Sequence, residues 1–534
     1  MKKVLALLLA LVMVLGLAAC ATKEAPAKTD DPAPVDTTNT ETTEQTPADA
    51  TDTAESVTIK IWFHGSNVTP EASEKVMAEL NPYLNEKIGV TLDPIWGTWG
   101  DFDTSTVTAL AGGDDVDIYF TCNWSADEYN KYARDGYWVK LDDMLEKDAP
   151  ELLATIPEGI WECARTNGLD GMGIYAVPGL KDTATQNCWD VNGTLLAELG
   201  YDVDAVCAAG LDYYSDEYEE MLQKAKDAKG GDFYPLLIEP AVLERLVTHT
   251  SIVTGDLNGG NVLSYYYDAE HPSKDIGSTI VNKFATDEFK KFADRTYYYA
   301  QKGFISPSCQ SVANANDYRT ACQSTGDYLF CTQSYAFGCE LDFSKARGID
   351  VRMVPATAAY MDCTSGQGAM MAISATSKNP DKALQFLNLL NTDPVVMTYV
   401  NYGVEGFTYN KNDDGTITFI DDARATYSPW TNGVGNVRIL PPTSDQGADF
   451  WQRFSAYYDA AETLPYGGFI FDSSVCETEA AALANVWAEY AFNLMSGAVN
   501  PADVLPEFLS KLEAAGINTF VDAANEQMNA YLAG

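Results

Sequence analysis

Val57-Thr58-Ile59-Lys60-Ile61-Trp62-Phe63 is the stretch on which the fold turns. Val57, Ile59 and Ile61 alternate with Thr58 and Lys60, the period-two pattern of a half-buried strand, and His64-Gly65-Ser66-Asn67 breaks it with a polar loop. A helix follows, with Thr69 suited to its N-cap, Pro70 to its first turn, and Val76, Leu80, Tyr83 and Leu84 forming one apolar stripe. Val90 to Trp96 is a second extended run, helical spacing resumes around Asp103 to Ala111, and Val116-Asp117-Ile118-Tyr119-Phe120 is a compact apolar strand. This β-α-β-α-β opening predicts an α/β fold whose early sheet is largely parallel. The loops after its strands, His64 to Asn67 and Cys122 to Ser125, gather on the edge where such folds hold ligands.

Further along, Asn379-Pro380 opens a helix carrying Ala383, Leu384, Leu387 and Leu390, and Asn500-Pro501 opens another with Leu505, Phe508, Leu509 and Leu512, ended by Gly516. A last helix places Phe520, Val521, Ala524, Met528 and Tyr531 on one face and reads as a terminal latch. No internal repeat is present.

Upstream of the strand, Lys2 and Lys3 precede an apolar run from Val4 to Ala19, and Leu17-Ala18-Ala19-Cys20 has the small residues of a lipoprotein cleavage site. The run is shorter than the roughly 20 residues that a membrane-crossing helix needs, so residues 1–19 read as a lipoprotein signal peptide and Cys20 as the lipidated residue. Two acyl chains on Cys20 meet the two-signal requirement for stable anchoring. Residues 20–56 then form a disordered acidic linker, rich in Thr, Ala, Pro, Asp and Glu and without one aromatic residue. Such a leash spans roughly 30 to 36 Å as a flexible coil. The expected location is the extracytoplasmic face of the cell membrane.

The remaining chain, within 534 residues overall, exceeds one ordinary hydrophobic core and calls for two lobes. A formal charge of −43 repels nucleic acid and anionic solutes on approach, so no nucleic-acid partner is expected. Of eleven cysteines, ten remain once Cys20 is lipidated, and pairs such as Cys331 with Cys339 or Cys309 with Cys322 are compatible with disulfides outside the cell. No CxxC spacing occurs. Only His64, His249 and His271 are available, and HExxH, GxSxG and GxxxxGK[ST] are all missing. Two carboxylates suffice for a glycosidase, which keeps a surface glycan hydrolase open as an alternative. Asn410, Asn412, Asp414, Gly415, Ile417 and Asp421 loosely follow a calcium loop, but Asp414-Gly415 between apolar runs reads better as a hairpin turn. No cofactor, metal site or catalytic residue is expected.

Asp115-Val-Asp-Ile-Tyr-Phe120, Ile174-Tyr-Ala-Val-Pro178, Ser377-Lys-Asn-Pro-Asp-Lys-Ala383 with its helix to Thr392-Asp393, and Tyr402-Gly-Val-Glu-Gly406 follow one another in order. Together with Trp430 to Asn436, Gly468-Phe-Ile-Phe-Asp472 and Gly497 through Ile517, they resemble the extracellular solute-binding lipoproteins of carbohydrate ABC importers, in a longer subgroup with an additional C-terminal region. The resemblance runs from Val57 to the end.

It implies a two-lobed, type II periplasmic-binding-protein-like (Venus flytrap) fold with three hinge crossings. The crossings fall near Lys181 to Asn187, Cys363 to Gly366 and Tyr402 to Gly406, with Gly366, Gly403, Glu405 and Gly406 as hinge residues. Lobe I then comprises residues 57–185 plus 365–404, and lobe II residues 186–364 plus 405–534. Glycine suits such positions because hinges absorb backbone rotation.

The ligand site implied by the resemblance starts at His64, Ser66 and Asn67 in the first loop, where the best-known members carry a charged pair instead of Ser66 and Asn67. Trp62 reads as a strand residue beneath it, and His64 equally as an internally satisfied loop histidine. Asn123 and Trp124 follow the third strand; Asn187, Trp189, Gln333 and Tyr335 come from the second lobe, with Phe337 nearby. Packing is an equal alternative for Tyr335. Trp430 and Asn432 lie in an irregular, glycine-rich segment with no helical or strand stripe to join, which favours a surface or cleft role, whereas Glu405 reads as a hinge salt bridge rather than a ligand contact and Trp99 as part of the early helix and core. Sugars present apolar C–H faces and hydroxyl rims, which pair with flat aromatics and short polar side chains. Such contacts can supply much of the roughly 8 kcal/mol that micromolar binding requires. The expected function is capture of a sugar or neutral oligosaccharide by a monomeric receptor that closes by a hinge and delivers it to ABC permease subunits. A receptor for a peptide or another non-sugar solute is the second alternative.

Overall fold

The Val57 strand lies inside a five-stranded sheet, as its alternation requires, with Ile59 and Ile61 fully buried. The computed structural model describes residues 56–257, 260–277 and 279–533. Cys20, the signal segment and almost all of the linker lie outside the described residues. The strands that organise the two principal sheets are, in chain order, β1 (Val57–Phe63), β2 (Val90–Trp96), β3 (Ile118–Thr121), β4 (Val177–Pro178), β5 (Asn187–Asn192), β6 (Leu236–Leu237), β7 (Phe330–Ser334), β8 (Val351–Pro355) and β9 (Met370–Ile373).

The first sheet has the order β2-β1-β3-β9-β4. β1 is parallel to β2 and β3, as the opening pattern predicts, while β9 returns antiparallel to both β3 and β4. The second sheet has the order β8-β5-β7-β6, with β5 antiparallel to its two neighbours and β6 parallel to β7.

Local chemistry sets the first helix, α1 (Pro70–Ile88). The Thr69 side chain accepts from the Ala72 N–H, Pro70 occupies the first turn, and Gly89 ends the helix in the left-handed region. Val76, Leu80 and Leu84 face the core as expected, while Tyr83 is half-buried and donates its hydroxyl to Asp393 at 2.7 Å. The helix α2 (Phe102–Gly112) follows β2 and carries Phe102 into the same core.

Each sheet has its own hydrophobic core. The first takes residues from Ile59 to Ala184 and again from Ala369 to Tyr458; the second takes residues from Trp189 to Tyr360 and again from Leu464 to Met528. The chain therefore passes between cores three times, and the segments involved are hydrogen-bonded to one another. Thr185 bridges Tyr360, and Tyr360–Met361 pairs in parallel with Glu462–Thr463.

This moves the third passage from where the sequence placed it. Tyr409, Ile417, Tyr427, Phe450 and Phe454 are all buried in the first core, so residues 405–458 belong with the first half and the crossing lies between Tyr458 and Leu464. Gly403 instead ends the helix Pro394–Tyr402 with φ 85°, and Gly406 begins a turn into a small hairpin. Glu405 forms an ion pair with Lys411 at 2.8 Å across that turn. Gly366 sits within the helical turn Cys363–Gln367, where a Cβ would lie 2.4 Å from that of Cys163, so close packing rather than hinge freedom explains the glycine.

The segment with calcium-loop spacing is the hairpin Tyr409–Lys411 and Ile417–Phe419. Asp414 Oδ1 accepts from both the backbone N–H and the hydroxyl of Thr416, closing the turn. The ten described cysteines are all free thiols, Cys309, Cys322, Cys331 and Cys339 among them. Among the described residues, no helix is long and apolar enough to cross a membrane, and no cluster of His, Cys, Asp or Glu could hold a metal.

Candidate functional site

Three tryptophans converge at the C-terminal edge of the first sheet. Trp124 follows β3, Trp99 lies between β2 and α2, and Trp430 comes from the irregular segment far along the chain. Trp99 and Trp124 lie at 23° with ring centroids 6.3 Å apart, and Trp430 stands across both, 5.0 Å from Trp99 at 61° and 6.0 Å from Trp124 at 70°. Trp99 is 60% and Trp124 50% exposed, while Trp430 is half-buried. Large aromatics left this open form an apolar patch of the kind that marks a binding surface.

His64 is the floor of this group. Its ring lies 4.5 Å from Trp99, 5.7 Å from Trp124 and 5.8 Å from Trp430, and packs against Phe102 at 3.6 Å. Gly65 makes the arrangement possible: it adopts φ 64°, and a Cβ there would lie 2.6 Å from the Trp99 ring. Both His64 ring nitrogens are buried without a hydrogen-bond partner. Burial pulls the imidazole down from 6.5 to about 4, with Asp103 acting weakly the other way, so His64 is neutral at physiological pH.

That depressed pKa gives a prediction for stability. The unfolded chain accepts a proton near pH 6.5 that the folded chain refuses until about pH 4. The contribution of neutral His64 is therefore complete above pH 6.5 and is lost as the pH falls toward 4, by up to about 3 kcal/mol. Urea unfolding at pH 7 and pH 4 should show this loss in the native protein, and His64→Phe should reduce it. An equal pH dependence in both proteins would contradict the burial of His64.

The loops carrying the tryptophans are braced from below. Trp124 Nε1 donates to the Gly368 carbonyl at 2.8 Å, and the Asn123 N–H to the Gln367 carbonyl at 3.1 Å. Asp103 Oδ1 accepts from the Ala126 N–H at 2.9 Å, tying α2 to the Trp124 loop. Asp127 is fully buried; Ser125 donates to its Oδ1 at 2.6 Å, and burial pushes its carboxyl up to about 8, so it holds a proton at neutral pH. Asp101 accepts from the Thr98 N–H and hydroxyl, shaping the turn that presents Trp99.

Not every residue expected here faces the rings. Ser66 is buried and tied down, its hydroxyl donating to the His64 carbonyl at 3.2 Å and its N–H to the Gly97 carbonyl at 2.9 Å. Asn67 is exposed in a short ladder with Tyr427–Ser428, with Nδ2 donating to the Ala425 carbonyl at 3.4 Å. Trp62 packs on Tyr119 at 6.0 Å as a sheet residue. The side chain of Asn432 lies outside the described residues; its backbone is in the single 3-10 turn after Trp430.

From the second sheet, Trp189 is not a site residue. It has no exposed surface, stacks on Tyr213 and packs at a tilt against Tyr218 and Phe330 in the second core. The strand alternation explains this, since Trp189 and Val191 point inward together. Asn187, at the start of β5, is buried with neither Oδ1 nor Nδ2 hydrogen-bonded, an arrangement that costs about 1–3 kcal/mol unless a polar group meets it. Gln333 donates to the Ser334 carbonyl at 3.0 Å. Tyr335 lies edge-on to Tyr457 at 5.5 Å, and burial raises its phenol pKa well above the ordinary value. Phe337 inserts among Phe450, Phe454 and Tyr457, so this group forms an aromatic seam between the halves.

Trp99 is the residue that the sequence reading missed. It sits in Gly97-Thr98-Trp99-Gly100, a glycine-flanked stretch with no stripe to join. The same signal pointed to Trp430.

The fold with two sheets and two cores is similar to known structures along nearly the whole chain. The crystal structure of the N-glycan transport solute binding protein NgtS from Streptococcus pneumoniae superposes with a TM-score of 0.72 at 23% identity, covering 90% of this chain and 99% of that one. This chain has the solute-binding-protein fold. The same protein in complex with Man1GlcNAc gives 0.69 at 22% identity, covering 89% of this chain and 100% of that one. By sequence, a carbohydrate ABC transporter substrate-binding protein of Streptococcus pneumoniae serotype 4 (strain ATCC BAA-334 / TIGR4) is 25% identical over 485 residues, 90% of this chain and 92% of that protein. Residues 465–533 match a domain of unknown function, DUF3502.

Proposed function

We propose that this chain is the substrate-binding component of an ABC importer, capturing an oligosaccharide between its two halves and delivering it to a membrane permease. The observation that carries this reading is the group of three partly exposed tryptophans above neutral His64, set at one edge of a sheet in a solute-binding fold. Flat rings at differing angles suit the apolar faces of successive sugar units. Asp101 shapes the turn that presents Trp99 and Asp103 braces the Trp124 loop from α2, and with the overall charge they favour a neutral glycan over an anionic one. Glycans built from mannose and N-acetylglucosamine, the kind that NgtS holds, are the first class to test.

Asn187 is the proposed polar contact from the second half, because its unpaired buried amide needs a partner. Tyr335 and Gln333 lie along the same strand exit. Closure follows if the ligand binds the closed arrangement more tightly than the open one. The protein acts by binding rather than catalysis, as a monomer, tethered outside the membrane by lipid on Cys20.

Calorimetry against a panel of neutral, acidic and amino-sugar oligosaccharides tests the reading. Neutral glycans should bind and, at a concentration of about 100 times Kd, stabilise the fold by roughly 2.7 kcal/mol. They should also be recovered intact. Stabilisation by peptides alone, or release of shortened sugars, would point to a different function.

A further inference from the structure

The three crossings form one ribbon. Thr185 and Tyr360 exchange two backbone hydrogen bonds of 2.7 and 2.9 Å, and on the other side Leu464 donates to the Met361 carbonyl at 2.9 Å. The region of unknown function begins immediately beyond this ribbon.

Its first residues, 465–472, run as a strap along the end of the second crossing. The Gly467 carbonyl accepts from the Cys363 N–H at 2.5 Å, and the Cys363 thiol faces the Phe469 carbonyl at 3.7 Å. Gly467 approaches so closely that a Cβ would lie 3.0 Å from Asp362 Cα and 3.1 Å from the Met361 carbonyl oxygen. Phe471 then donates to the Thr254 carbonyl at 2.8 Å, fastening the strap to the second half.

The far end of the strap is held by the last helix, Ile517–Ala533. The Gln527 amide makes both available bonds to the Asp472 backbone, accepting from its N–H at 2.9 Å and donating to its carbonyl at 3.0 Å. One turn later, Tyr531 lies against Phe469 at 5.8 Å, with its hydroxyl 2.7 Å from where a Cβ of Gly468 would stand. Phe520, Ala524 and Met528 seat this helix in the second core, but Tyr531 is 46% exposed and adds little to that core. Its ring packs on the strap.

We infer that residues 465–533 are a hinge brace: the last helix holds the strap through Gln527 and Tyr531, and the strap fixes the second crossing, limiting how far the halves open. The inference rests on capture by closure. It gives a region of unknown function a mechanical role in setting the population of the binding-competent state.

Amide hydrogen exchange on the sugar-free protein tests it. In Gln527→Ala/Tyr531→Ala, the amides of Thr185, Tyr360, Cys363 and Leu464 should exchange about tenfold faster, while those of Ile59 to Ile61 and of Cys331 stay unchanged. Small-angle scattering should show a larger radius of gyration. Unchanged ribbon amides would overturn the inference, and so would acceleration spread equally over both sheets, which marks general destabilisation. Tyr531→Ala alone, at an exposed position, should give a weaker version of the same pattern and serves if the double variant does not fold. Because no sugar is present, this result is separate from the ligand assignment: a protein that binds no glycan yet shows the pattern keeps the brace and loses the proposed function.

Discussion

Trp124→Ala is expected to weaken oligosaccharide binding by about 2 kcal/mol, or ~30-fold in Kd, while leaving the urea midpoint nearly unchanged. The separation of the two effects follows from where the ring sits. Trp124 is half exposed and packs by its edges on His64, Phe120 and Trp430, so its loss opens no large internal cavity. What disappears is a flat surface over which a sugar unit can lie, together with the Nε1 bond to Gly368 that steadies the loop. Trp99→Ala should act similarly. The double variant should lose less than the sum, because rings 6.3 Å apart share one ligand surface and neighbouring substitutions couple. Titration calorimetry with the tightest glycan of the panel decides it; full affinity in both single variants would remove the tryptophan group from the site.

Trp189→Ala should do the opposite. This side chain is fully buried among Tyr213, Tyr218 and Phe330, so truncation leaves a cavity and should cost about 3–5 kcal/mol of stability. Glycan affinity of the molecules that remain folded should stay close to native. Urea unfolding followed by tryptophan-independent circular dichroism, with calorimetry well below the midpoint, measures both quantities. A variant of native stability with impaired binding would restore Trp189 to the ligand site.

The contrast between these tryptophans shows what the chain makes legible. β1 was readable because its alternation has one solution, and α1 because Thr69 and Pro70 mark its start and Val76, Leu80 and Leu84 its buried stripe. Trp430 was readable as a residue without a stripe to join, and Trp124 through the resemblance that places an aromatic in the loop after the third strand. Trp189 was misread because proximity to a crossing says nothing of how deep in a strand a residue lies: all of β5 is buried, and Trp189 sits two residues inside it on the face that Asn187 begins. Trp99 was missed because the helix after it begins only at Phe102, and boundaries are the least determined part of a sequence pattern.

The third crossing failed for a different reason. Gly403 and Gly406 have the conformational freedom expected of a hinge, yet both have left-handed φ values fixed by a helix end and a turn. Nothing local distinguishes the two uses. Only the burial of Tyr409, Ile417 and Tyr427 beside the first sheet shows that the chain has not yet left it. The crossing at Glu462–Thr463 is marked by pairing to Tyr360–Met361, a long-range relation that no single stretch encodes.

The free cysteines have a chemical consequence of their own. Burial raises the thiols of Cys122 and Cys163 from 9.0 to about 12, so near pH 7 only about one molecule in 10⁵ carries the reactive anion at either site. Sulfur that is so rarely ionised is slow to be alkylated, to attack a passing disulfide or to be captured by peroxide. At these two sites the chain can keep one covalent form whether its surroundings contain oxygen or not.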